Sequence, residues 1–585
     1  MLMVEKSKQL ISSFLLTTLL IVSVTGEAAS HVDESAAIIR YDSIHHPVIG
    51  TGGMVSSQRE LASEIGADIL RRGGNAVDAA VATGIALAVT LPRAGNLGGG
   101  GFMLVYLAKE NKVVALDYRE MAPAAAHRDM YLDSEGNVDT RKARFSHLSS
   151  GVPGTVAGLA HALEKYGTMS WQEVVAPSIE LAEKGFVVSY DLAENLKSRQ
   201  AWLTANTATA KAYYKRGGIP YEPGEVLVQK DLAWSLKQLA QDGPEAFYQG
   251  AIADKIVTAM QEGGGLITRD DLANYRVQER EPVATDYRGY QVVSMPPTSS
   301  GGVHIIQMLN ILEQFPIGKM GAGSADATHL LAEAMKRAYA DRSEHLGDPD
   351  HFAVPIAGIT SKAYARELAE GISLASATPS AKIHAGNPAP YESPDTTHFS
   401  VMDAQGNAVS NTYTLNFSYG SGIVIPGTGI LMNNEMDDFS AKPGVPNAFG
   451  LVGGEANAIA ARKRPLSSMT PTMIFREGKP YVVTGSPGGS RIITTVLQVL
   501  VNVMDHQMNI ADAVHAPRIH HQWLPDQLEL EPGFSPDTIK LLLQKGQKVK
   551  QGRTMGSVQS IMWKEGLFYG ASDPRRPDAG TVAVQ

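Results

Sequence analysis

No cysteine occurs in the 585 residues of this chain. That excludes disulfides, thiolate metal sites and a cysteine nucleophile together. It leaves the compartment open, because a chain without thiols tolerates oxidising and reducing surroundings alike. Charge is sparse too. Charged residues make up 19%, the net charge is −9 and the pI is near 6.0. No dense Lys/Arg block occurs, which argues against nucleic acid as a partner. Long apolar runs are missing except at the N-terminus. There, Lys6 and Lys8 precede a mainly apolar stretch at 10–24, and small residues alternate in Gly26-Glu27-Ala28 and Ala28-Ala29-Ser30. This is the layout of a secretory signal peptide, here assigned to residues 1–28. The alternative is an uncleaved anchor, for which the run is short and diluted by Ser12, Ser13, Thr17 and Thr18. No second run is long enough to cross a bilayer. The mature chain is therefore expected to be soluble and exported, periplasmic or secreted.

What is present is ordinary globular composition, with 44% hydrophobic residues. Residues 60–72 (ELASEIGADILRR) and 76–89 (AVDAAVATGIALAV) read as helices, the second apolar nearly all round and so expected to be buried. Residues 101–107 (GFMLVYL) read as a core strand, followed by another at 113–117. Helical patterns dominate 155–344, with clear examples at 170–184, 229–241 and 327–344. The stretch 373–395 (SLASATPSAKIHAGNPAPYESPD) is small and Pro-rich without apolar periodicity, and reads as an exposed loop. Strand patterns then follow at 396–403 and 408–415, with a Gln405-Gly406-Asn407 turn between them. Further strands are expected at 471–475, 480–484 and 557–563, and an apolar helix at 492–504. The class is α/β.

The junction at 395/396 has a chemical use. If the Asp395–Thr396 bond is cut, Thr396 carries both a hydroxyl and a free α-amine, and the amine can serve as base for its own hydroxyl. An α-amine has a reference pKa of roughly 7.7–8.0, so it can be neutral where a lysine would not be. Taken alone, the stretch is better read as a plain loop leading into a strand, since Thr is common in strands.

The wider residue set reverses that balance. Around the junction stand D-T-T-H-F-S-V-M-D, then N-T-Y-T-L-N (411–416), N-N-E-M-D-D-F (433–439), R-P-L-S-S-M (464–469) and G-S-P-G-G-S-R (485–491). Upstream stand L-G-G-G-G-F-M (97–103), D-Y-R-E (117–120), G-V-P-G-T-V-A-G (151–158), P-P-T-S-S-G-G (296–302) and E-A-M-K-R-A-Y-A-D-R (333–342). Together, and in this order, they resemble γ-glutamyltransferase (γ-glutamyltranspeptidase), an N-terminal-nucleophile hydrolase family. The resemblance runs from about Ser43 almost to the C-terminus.

The resemblance implies a four-layer αββα sandwich built from two autoproteolytic subunits, 29–395 and 396–585, forming one intertwined domain. It implies Asp395–Thr396 as the cleavage site and Thr396 as the nucleophile, with Thr414 hydrogen-bonded to it. Gly488 and Gly489 would supply an oxyanion hole, where glycine leaves the approach unobstructed. For the donor's glutamyl head, Arg119 would grip the α-carboxylate as a bidentate fork, with Ser467 and Ser468 adding hydroxyls. Glu435 and Asp438 would take the α-ammonium, helped by Asn416. The implied donors are glutathione and other γ-glutamyl compounds, and the acceptors water, amino acids or peptides. No metal or cofactor is called for.

Two departures stand out. Bacterial members often carry Gln where this chain has Glu435. Residues 442–454 resemble a lid that often bears tyrosine where this chain has Phe449, whose ring lacks the hydroxyl's hydrogen bond. Two decoys are set aside. The Gly98–Gly101 run precedes a strand-like stretch and no Gly-Lys-Ser/Thr follows, so a nucleotide loop is rejected. His520 and His521 are adjacent and lack an HExxH pattern, so a structural or surface role is expected rather than metal binding. The rival functions are a glutaryl β-lactam acylase of the same architecture and a catalytically silent homologue.

Overall fold

The computed structural model describes residues 43–386, 397–442 and 455–585. The chain divides into a unit ending at Ile44 and a compact unit, His45–Gln585. The signal-peptide assignment lies outside the described residues, as do Asp395, Thr396 and Phe449. Among the described residues, no helix is long and apolar enough to cross a membrane.

Two seven-stranded antiparallel sheets form the frame. The first runs Gly580–Val584, Gly53–Ser57, Thr397–Asp403, Ala408–Thr414, Gly100–Leu107, Lys112–Tyr118, Gln278–Arg280. The second runs Val48–Gly50, Leu567–Ser572, Gln559–Lys564, Lys479–Thr484, Thr472–Arg476, Tyr290–Ser294, Val283–Tyr287. Side-chain alternation sorts residues to the two faces of the first sheet. Met103 and Val105 join one apolar core with the Glu60–Arg71, Ala76–Thr90, Thr155–Tyr166 and Trp171–Lys184 helices. Phe102 and Leu104 point the other way, into a core shared with the second sheet and with the Gly301–Leu312, Ala325–His345 and Arg491–Met504 helices. Between the sheets the Ser410 hydroxyl donates to the Thr484 carbonyl at 3.0 Å, and Ser400 to Gln559 at 3.0 Å. The layers are helix, sheet, sheet, helix, as the family resemblance implies.

Most expected elements form at their sequence positions. The Ala76–Thr90 helix is buried along its whole length and begins with a capping box in which Asn75 accepts from Val77 and Asp78. The stretch read as dominated by helices nevertheless contains the strands Val283–Tyr287 and Tyr290–Ser294. They are short, and they join the second sheet because Val283–Tyr287 pairs with Tyr290–Ser294 and Tyr290–Ser294 pairs with Thr472–Arg476.

The four-glycine run is explained by close approach. A Cβ on Gly99 would lie 1.9 Å from the Thr414 carbonyl, and one on Gly100 would lie 2.6 Å from a Glu120 carboxylate oxygen. Glycine is required where the Gly100–Leu107 strand crosses the end of Ala408–Thr414.

Candidate active site

The site gathers where the Ala408–Thr414 strand ends. Thr397 stands opposite Tyr413 in the register, so the described start of the Thr397–Asp403 strand lies beside that end. The Thr414 hydroxyl oxygen accepts from the Asn416 N–H at 2.9 Å. Asn416 adopts the left-handed region (φ 75°), which Asn tolerates better than most residues. Its side-chain amide donates to the Asn434 carbonyl at 3.0 Å. Its side-chain oxygen is buried without a hydrogen-bond partner among the described residues.

Arg119 follows the Lys112–Tyr118 strand and is fully buried at 1% exposure. Its backbone is fixed from both sides. Its N–H donates to the Asp117 carboxylate at 3.0 Å, and its carbonyl accepts from the Tyr275 hydroxyl at 2.8 Å. The guanidinium donates to Glu435 and Asp438, and to the carbonyls of Pro465 (3.0 Å) and Leu466 (3.1 Å). Glu120 lies 3.5 Å away on the same guanidinium. One buried cation thus faces three buried carboxylates.

The electrostatics follow from that count. Burial alone would depress the Arg119 pKa, but Glu435, Asp438 and Glu120 outweigh it and hold it above its ordinary value. Burial pushes Glu120 up to about 7 against the pull of Arg119. Burial also raises Glu435 well above the carboxylate range, with Arg119 opposing and Glu120 adding to the rise. One oxygen of Glu120 and one of Glu435 are buried without a partner among the described residues. Among the described residues the cluster sets one cation against three carboxylates and leaves two of its carboxylate oxygens without a donor.

Ser467 and Ser468 lie directly after the two carbonyls that hold Arg119. The Ser467 hydroxyl oxygen accepts from the Met469 N–H at 3.1 Å. The Ser468 hydroxyl oxygen accepts from Arg342, whose Nε donates to the Ser300 hydroxyl at 3.1 Å. Glu435–Asp438 forms one turn of 3-10 helix, held by Asn433, whose side-chain amide donates to the Gly98 and Gly151 carbonyls at 2.8 Å each.

Gly488 (φ 137°) and Gly489 (φ 66°) form the turn that opens the Arg491–Met504 helix. Their carbonyls accept from Arg491 (3.2 Å) and Ile492 (2.9 Å). Among the described residues neither glycine N–H has a protein acceptor. Gly488 and Thr414 line one cavity.

Sequence reasoning left out Glu120 and Arg342, although both stand inside quoted motifs. The signal for Glu120 is adjacency to Arg119. For Arg342 no local signal exists, since it comes from a helix distant in sequence from Ser468. His520 and His521 are both buried rather than on the surface. A His520 ring nitrogen lies 3.0 Å from the Gln522 side-chain oxygen, and His521 lies 3.5 Å from Asp526. No group of three or more metal-ligating side chains occurs among the described residues.

The family model described as gamma-glutamyltranspeptidase matches residues 62–583. A glutathione hydrolase proenzyme of Escherichia coli (strain K12) is 58% identical over 538 residues, covering 92% of this chain and 93% of the relative. An acylase ACY 1 proenzyme of Pseudomonas sp. (strain V22) is 40% identical, covering 92% and 94%. Among solved structures, a cephalosporin acylase from Bacillus halodurans superposes with a TM-score of 0.82 at 29% identity, covering 94% of this chain and 99% of that one. Helicobacter pylori gamma-glutamyltranspeptidase does so with a TM-score of 0.56 at 44% identity, covering 60% of this chain and 97% of that one. The chain belongs to the γ-glutamyltranspeptidase family.

Proposed function

We propose that this protein is an exported proenzyme that loses residues 1–28 and cuts itself before Thr396. The products are a large subunit, 29–395, and a small subunit, 396–585. The mature enzyme is a γ-glutamyltransferase and hydrolase acting on glutathione and related donors. Thr396 attacks the γ-amide carbonyl while its own α-amine takes the hydroxyl proton. The N–H groups of Gly488 and Gly489 receive the developing oxyanion. Collapse of the intermediate expels the amine with a proton and leaves a glutamyl ester on Thr396. Water, an amino acid or a peptide then attacks that ester and restores the hydroxyl. Thr414 steadies the nucleophile.

The observation that carries this reading is the buried cluster of Arg119 with Glu435, Asp438 and Glu120. A glutamyl head brings both a carboxylate and an ammonium. It can take the Arg119 guanidinium, with Ser467 and Ser468, and offer its ammonium to Glu435, Asp438 and the unpartnered oxygen of Asn416. A glutaryl head would take the guanidinium and return no positive charge, leaving the acidic pair buried and uncompensated, which is strongly unfavourable. This argues against the acylase reading despite the acylase relatives. Phe449 is assigned to a lid over the site.

The test compares a chromogenic γ-glutamyl anilide with the matching glutaryl anilide on mature protein. Preference for the glutamyl compound is expected, and preference for the glutaryl compound would establish the acylase instead. Cleavage of neither would favour a silent homologue.

A further inference from the structure

The cavity lined by Thr414, Asn416 and Gly488 continues to a wall that the chemistry above does not use: Gln58, Arg93 and Arg576. Two arginines line it and no acidic residue does. The Arg119 cluster is not part of its wall.

Gln58 follows the Gly53–Ser57 strand and is 3% exposed. Its side-chain nitrogen is buried with no acceptor among the described residues. Buried amide donors are almost always paired, so an orphan of this kind calls for an explanation. Arg93 sits in the loop after the Ala76–Thr90 helix. Its carbonyl accepts from the Tyr419 N–H at 2.9 Å, which fixes the loop against the chain just beyond Asn416. Its guanidinium meets one carboxylate among the described residues, Asp191 at 3.2 Å, and is 12% exposed. The neighbouring Arg59 is engaged by Asp578. Arg576 gives one N–H to the Arg575 carbonyl at 3.4 Å.

We propose that Gln58 and Arg93 form a subsite for the carboxylate of the amine that leaves the glutamyl group or arrives to accept it. The inference rests on the γ-glutamyl reading and deepens it. A desolvated carboxylate needs N–H donors and positive charge. Gln58 brings an unused N–H pair and Arg93 brings a fork with only one acid on it. Both line the cavity that Thr414 and Gly488 also line. The donor's own carboxylate goes to Arg119, so this second cationic position selects the partner amine: a peptide or amino acid ending in a free carboxylate.

Mature enzyme is supplied with a γ-glutamyl anilide and either glycylglycine or glycylglycinamide as acceptor, and the ratio of the two kcat/KM values is read. Wild type is expected to favour the acid by roughly tenfold, the size of one charge-assisted hydrogen bond. Arg93→Gln and Gln58→Leu should each bring the ratio toward one. A ratio that survives both substitutions overturns the subsite. If neither variant matures, the wild-type comparison decides, and equal use of the two acceptors overturns it. Failure of mature wild type to cleave the anilide at all would overturn the γ-glutamyl reading, and the subsite with it.

Discussion

The buried guanidinium of Arg342 donates to the hydroxyl oxygen of Ser468. A guanidinium has donors only. The Ser468 oxygen therefore accepts from Arg342. Under the proposed function Ser468 sits at the donor carboxylate, and Arg342 orients it there. One turn earlier, Tyr339 stacks under the Arg342 guanidinium and gives its hydroxyl to the Ser490 carbonyl, beside the Gly488–Gly489 turn. The Ala325–His345 helix thus braces both halves of the site.

Arg342→Gln removes the charge and lets the replacement accept as well as donate. The donor KM is expected to rise by roughly tenfold or more. Ser468→Ala should cost a similar amount, and the double variant should cost much less than the sum, because the two side chains act as a unit. Steady-state kinetics on the four proteins checks this. Strict additivity would separate Arg342 from the carboxylate site.

Glu120 gives a pH dependence with a definite sign. Its pKa is raised from an ordinary 4.5 to about 7, burial being the main cause. Between those values the folded chain holds a proton that the unfolded chain has released. Stability from this group is therefore present at low pH and lost as pH rises toward 7. Wild type is expected to lose melting temperature across that window at this site, and Glu120→Gln should lose less. Thermal melts of the two proteins from pH 5 to 8 provide the measurement. A steeper decline in the variant would contradict the assignment.

The helices and strands with strong local patterns were legible. The alternation in GFMLVYL and the wholly apolar AVDAAVATGIALAV state their burial directly, because side-chain direction follows the period. Val283–Tyr287 and Tyr290–Ser294 were not, since a short strand is stabilised by partners distant in sequence. The same holds at the site. Arg119, Glu435 and Asp438 were singled out through motif resemblance. That they pair with one another, and that Glu120 adds a third carboxylate, is a fact of packing over some 300 residues of chain. Gln58 and Arg93 carry no motif at all, and only the cavity brings them beside Thr414.

Maturation separates the roles of Thr396 and Arg119. Purified wild type should run as two chains, the smaller beginning Thr-Thr-His-Phe, and Thr396→Ala should stay single. Arg119→Ala removes the cation from three buried carboxylates, so it should lose about 3–5 kcal/mol of stability along with kcat/KM. Arg119→Lys keeps the charge but not the planar fork, and should lose less. Since cleavage involves no glutamyl carboxylate, folded Arg119→Lys is expected to mature. Gel analysis with N-terminal sequencing reads cleavage, and γ-glutamyl anilide turnover reads activity. Full turnover by folded Arg119→Ala would remove Arg119 from the donor site.

The Gly488–Gly489 turn offers a test of the oxyanion assignment in which backbone conformation is the main variable. A Cβ on Gly488 would meet the Gly556 Cα at 3.3 Å, a tight contact from which the neighbour would have to give by a few tenths of an ångström. The main obstacle is φ, which at 137° lies where only glycine is comfortable. Gly489, at 66°, lies in the left-handed region, where alanine is strained but admissible. Gly488→Ala should therefore rotate the turn and misdirect its N–H groups, while Gly489→Ala should keep the turn closer to its shape. If these N–H groups hold the oxyanion, the loss falls on kcat, roughly a hundredfold for Gly488→Ala and less for Gly489→Ala, with the donor KM little changed. A loss confined to KM in both variants would place the oxyanion donors elsewhere. A fall in melting temperature with unchanged kcat would leave the turn a structural element only.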